Sequence, residues 1–157
     1  MQSGRKYIIF AVVLGVLALL FTAVGGANTN LHGLVSIVVI ILDVLALIVA
    51  LLIGRVAKQR GGRPLWNGAL IGAIYGFLMS IGSFFVTVTP AEVEQVLRKA
   101  GTVVSSTVVT QTLAVENSPL LHILGIVVSL ILYGVLGLIA GLIGGATTRR
   151  EGEKDAV

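Results

Sequence analysis

No cysteine occurs among the 157 residues of the chain, which excludes disulfides, thiolate metal sites and cysteine nucleophiles and leaves the redox compartment open. Charge is nearly as scarce: Asp, Glu, Lys and Arg make up 11% of the chain, against about 25% in an ordinary soluble domain. Aromatic residues amount to 6% and are not interleaved with the basic ones, so the net charge of +4 does not mark a nucleic-acid groove. Catalytic patterns are missing too. No glycine loop follows a strand to cradle phosphate, no Ser-His-Asp set is present, and Glu92 and Glu94 stand two apart on different faces of one short helix. These absences point to a chain with no catalytic residues, no metal and no cofactor.

What remains is apolar. Hydrophobic residues reach 56%, and crossing a hydrocarbon layer takes about 20 of them in a row at about 1.5 Å rise each. Four segments qualify, 7–24, 31–54, 65–88 and 120–146, and predict an all-α integral membrane protein, a four-transmembrane-helix bundle. The first segment, "RKYIIFAVVLGVLALLFTAVGGA", also has the charged start and small-residue end of a secretory signal, but its apolar stretch is long for that role and it is read as a span.

Basic residues give the expected direction. Arg5 and Lys6 precede the first span, Arg55, Lys58, Arg60 and Arg63 fill the second connection, and Arg149, Arg150 and Lys154 follow the fourth span, so nine of the eleven basic residues lie on one side. By the positive-inside bias that side is cytoplasmic, in a bacterial or archaeal cytoplasmic membrane. Residues 147–157 then form a cytoplasmic tail and 89–118 an extracytoplasmic segment. The four cations of the second connection are expected to contact anionic lipid heads. Pro64 suits the first turn of span three, Trp66 the membrane interface, and Asn117, Ser118 and Pro119 the start of span four.

Within 89–118, "TPAE" at 89–92 reads as a capping box with proline at the first helical position. The helix it opens places Val93, Val96, Leu97 and Ala100 on one face and ends at Gly101. It is a short amphipathic helix expected to lie on the outer membrane surface. The stretch after it, "TVVSSTVVTQTLAV", is β-branched and fits a strand or a frayed helix equally.

Helices associate in lipid through close contact at small residues and through interhelical hydrogen bonds. Small residues recur four apart in span three (Gly68, Gly72, Gly76, Ser80) and in span four (Gly125, Ser129, Gly137, Gly141, Gly145, with Tyr133 in the row). Span one offers Ala11, Gly15, Ala18 and Thr22. In span two a heptad seam runs through Gly33, Ser36, Ile40, Asp43, Leu47, Ala50 and Gly54. A faint repeat accompanies these stripes: residues 31–60 and 121–150, offset by 90, share eleven identities in thirty. Duplication and shared compositional bias explain it about equally well, and either way it sets Tyr133 opposite Asp43.

Asp43 is the residue the stripes do not explain. A charge at the bilayer centre costs about 2.5 to 3.5 kcal/mol, and no Lys, Arg or His lies at its depth. The acid is therefore expected to turn inward, uncharged and able to donate a hydrogen bond, with Tyr133, Tyr75 and Ser80 as partners of similar depth. Such a group fixes helix rotation or oligomer register, carries a proton or cation, or meets a partner protein's membrane helix. At the outer end His32, His122 and Glu116 form a second polar set; they lack local ligand spacing and are read as interfacial residues rather than a metal site. The function expected is that of a non-enzymatic accessory or assembly component that touches membrane lipids and associates with itself or with a membrane partner, and binds no nucleic acid. The alternative is a small proton- or cation-coupled transporter or channel built on Asp43.

Overall fold

The computed structural model describes residues 2–27, 32–102 and 104–148. Arg149, Arg150 and Lys154, used above for direction, lie outside the described residues, as do residues 28–31 of the first connection. The described chain is helical, with no strand among the described residues. In order, α1 is Gln2–Ala27, α2 is His32–Gln59, α3 is Pro64–Ile81, α4 is Pro90–Lys99, α5 is Ser106–Glu116 and α6 is Pro119–Ala146. Of these α1, α2, α3 and α6 are long and apolar enough to cross a membrane, α3 together with the 3-10 turn Gly82–Phe85 that follows it. The protein is thus a multi-pass membrane protein.

Helix ends follow from local chemistry. Beyond Gln59, Gly61 takes φ 71°, its N–H donates to Lys58 O at 3.1 Å and that of Gly62 to Ala57 O at 2.7 Å. This is a Schellman stop, and the left-handed position favours glycine. Lys58 in the last turn suits the negative helix end. The same device ends α4, where Gly101 has φ 70° and Thr102 N–H donates to Leu97 O at 3.0 Å.

Span three was expected to remain helical to 88, but α-helix stops at Ile81, a 3-10 turn continues to Phe85, and Val86 is extended. Two causes act together. Val86, Thr87, Val88 and Thr89 are β-branched, and the residue before Pro90 is driven out of the α region. The ambiguous stretch after Gly101 forms α5, whose N-cap Ser105 accepts from Val108 N–H. Val109 of α5 and Val93 of α4 are buried, and α4 and α5 pack on each other. Packing there overrides β-branched propensity. Of the apolar face of α4, Val93 is buried and Val96 is 65% exposed.

Among the long helices, α3 and α6 share the most extensive interface, α2 packs on both, and α1 lies against α2 and α3. Glycine permits this closeness. A methyl added at Gly72 would strike the backbone oxygen of Tyr133, one at Gly68 that of Gly137, and one at Gly54 that of Gly141. Gly137, Gly141 and Gly145 of α6 are buried, whereas most of the large apolar side chains on α6 are exposed. In water such a surface would aggregate; against lipid tails it costs nothing.

The heptad seam expected in α2 holds only at its basic end. Ala50 and Gly54 are buried, but Ser36 and Ile40 are exposed, and the covered line runs through Val35, Leu42, Ala46, Val49 and Ile53 instead. A straight helix drifts by about 20° per heptad from a seven-residue seam. Across three heptads the drift carries Gly33 and Ser36 off the contact, and Asp43 stands at its edge.

Candidate functional site

Asp43 is carried mid-way along α2, Tyr75 mid-way along α3 and Tyr133 mid-way along α6. Each reaches the junction for a physical reason. Gly72 and Gly76 let α6 approach α3 so closely that Tyr133 lies over the α3 backbone, and Tyr75 is fully buried, the largest side chain in the core. The two rings meet edge to face, 5.3 Å between centroids at 70°, the arrangement that sets a positive ring edge on a negative ring face.

Both phenols donate to one oxygen. Tyr75 OH reaches Asp43 Oδ1 at 2.7 Å and Tyr133 OH reaches the same atom at 2.9 Å. Three helices are thereby joined at one acceptor. In both bonds the carboxyl is the acceptor. Each tyrosine brings a hydroxyl proton to the shared oxygen.

Asp43 Oδ2 takes neither hydroxyl. Since no buried side-chain oxygen lacks a partner among the described residues, Oδ2 lies on the accessible side of this half-buried residue. The carboxyl can therefore carry a proton on Oδ2 while Oδ1 keeps both tyrosine bonds. Among the described residues Asp43 forms no ion pair, and its side-chain bonds go to the two tyrosines.

Ser80 stands apart from this group. It lies five residues, about 7.5 Å, beyond Tyr75 along α3, and its hydroxyl donates to Phe77 O at 2.9 Å, an intrahelical bond.

The expected alignment of α2 with α6 has a counterpart in the contacts. The Tyr133–Asp43 bond joins residues 90 apart, and Arg55 Nε donates to Thr147 Oγ1 at 3.4 Å across 92. Asp43 and Tyr133, equivalent in the faint repeat, thus face one another, while Arg55 meets a residue two positions beyond its equivalent Gly145. This engages Arg55 with α6, while Arg60 and Arg63 are exposed.

The His122 ring packs against Phe84, 5.1 Å between centroids, and Glu116 borders a cavity of about 270 Å³ between α4 and α5. The side chain of His32 lies outside the described residues. No group of three His, Asp or Glu side chains suited to a metal occurs among the described residues.

One residue with a clear structural task was read only as part of a helix start. Asn117 accepts from Val88 N–H at 3.0 Å through Oδ1 and donates to Val88 O at 3.1 Å through Nδ2. Its amide thus pairs with the extended backbone as a neighbouring strand would, tying the start of the α4–α5 excursion to its end. A self-complementary side chain next to a helix start was the available signal, but nothing local indicates a partner 29 residues away.

Compared with protein families, characterised proteins and solved structures, the chain matches none.

Proposed function

We propose that the protein is a non-enzymatic accessory or assembly component of a bacterial or archaeal cytoplasmic membrane, built as a four-helix bundle. In this reading α4 and α5 lie on the outer surface and both termini are cytoplasmic. The distribution of basic residues, nine of eleven toward one side, supports that direction. The observation that carries the functional reading is the double acceptance at Asp43 Oδ1. The one acid in the four spans holds three helices in register, which serves a scaffold with a fixed shape. Glycine contacts on either side of it, at Gly72 and Gly76, support the same reading, because a pathway that opens and closes must part these backbones. The exposed apolar face of α6 is offered to lipid, to a second copy or to a membrane partner.

The experiment is a flux measurement. Reconstituted protein and Asp43→Asn are expected to pass no more protons or alkali cations than empty vesicles, with the variant inserting normally. Flux in the unaltered protein that vanishes in Asp43→Asn overturns the scaffold reading.

A second reading rests on the accessible Oδ2. It is the one carboxyl oxygen in the spans without a hydrogen-bond donor, and a proton or small cation can bind there without breaking the tyrosine bonds. The flux result described above would establish it.

A further inference from the structure

We propose that the outward face of α3, at the end where α2 and α3 are joined, is a binding site for an anionic phospholipid. Trp66, Asn67, Ala69, Leu70 and Ala73 line a shallow depression of about 430 Å³. The small side chains of Ala69 and Ala73 leave room beside the helix, and Trp66, 68% exposed, stands at the depth where an indole favours the headgroup boundary. An acyl chain fits this hollow with its head toward the preceding residues.

Charge at that end selects the head. Arg60 and Arg63 are exposed, and neither side chain makes an ion pair or a hydrogen bond among the described residues. Arg63 is the N-cap of α3, one turn before Asn67 and two before Leu70. Asn67 Nδ2 donates to Arg63 O at 3.1 Å, holding this first turn together. Between Asp43 and Glu92 the chain has no Asp or Glu at all, so no acid in this segment competes for the two guanidinium groups. Arg55 differs, being engaged by Thr147. A phosphodiester head that keeps its negative charge complements this cluster, and a zwitterionic head does so less. The site goes beyond the scaffold reading. It requires only that the long helices lie in a bilayer, in either direction.

Trp66 is the only tryptophan in the chain, so its fluorescence reports on this face alone. Full-length protein is reconstituted in phosphatidylcholine vesicles carrying the same fraction of either brominated phosphatidylglycerol or brominated phosphatidylcholine. The brominated anionic lipid is expected to quench Trp66 several-fold more strongly. Arg60→Gln and Arg63→Gln should each reduce that preference by about fivefold or to parity, and Arg63→Lys should retain it. Ala73→Phe, which fills the hollow but keeps the charges, should lower quenching by the anionic lipid. Arg98→Gln with Lys99→Gln, at the other end of the molecule, should change nothing. Helical circular dichroism confirms that each variant has folded. Equal quenching by the two lipids in the unaltered protein overturns the proposal. So does a preference that survives loss of both arginines, one that falls equally with Arg98 and Lys99, or weak quenching by either lipid, which is the result if a second copy covers this face.

Discussion

Two stretches of one small-residue row in α6 differ in what they meet. In the half nearer the basic end, a methyl at Gly137 or Gly141 would meet α3 backbone at Gly68 and Gly72 or at Pro64 and Gly68. Toward the other end Gly125 has nothing within 4 Å of where a methyl would stand. Between them lies Tyr133, bonded to Asp43. A glycine in a row of small residues four apart therefore does not by itself locate an interface. Contact persists where both helices present backbone, and at mid-depth a polar bond takes over from it.

The largest expected effect breaks the close half. Gly72→Val drives a branched side chain into the backbone of Tyr133, whose position is fixed on both sides, so the helices must separate. A loss of about 3 kcal/mol or more is expected, read by equilibrium unfolding in mixed micelles. A variant that unfolds like the unaltered protein would show that the α3–α6 approach is looser than described.

The next effect probes the polar boundary. Tyr75→Phe and Tyr133→Phe should each cost about 0.6 kcal/mol, a typical interhelical hydrogen bond in lipid, because the remaining hydroxyl still serves Oδ1. The double variant leaves the acceptor empty and should cost more than the sum of the two, by about 0.5 kcal/mol or more in a double-mutant cycle. Strict additivity would mean that the two phenols do not share one oxygen. The smallest effect is at the open end, where Gly125→Ala should change stability by no more than about 1 kcal/mol and in the stabilising direction, through helix propensity alone. A substantial loss there would reveal a neighbour at that glycine.

Much of this was readable in the chain because lipid imposes few solutions. Four helices follow from apolar length, Gly101 and "TPAE" from capping rules, and the meeting of Asp43 with Tyr133 from depth and the offset of 90. Tyr75 was recoverable by depth, since it lies near the middle of its span as Asp43 does of α2. What was not readable depended on rotation or on distant partners. The seam through Gly33 and Ser36 failed because a seven-residue pattern and a 3.6-residue helix part company over its length. Ser80 shares a stripe with Gly76 but bonds within its own helix. The helicity of α5 goes with its packing on α4, where Val93 and Val109 are both buried, a tertiary contact that overrides local preference. That two phenols converge on a single carboxyl oxygen is a matter of ångströms, and residue spacing does not resolve it.

The paired bonds between Asn117 and Val88 have an architectural consequence. They close the 28 intervening positions, 89–116, into a ring that leaves and rejoins the main body at one doorway. A short turn grafted across that doorway should leave the packing of α3 on α6 undisturbed, so α4 and α5 behave as an exchangeable headpiece and their sequence is free to vary without the membrane helices having to follow.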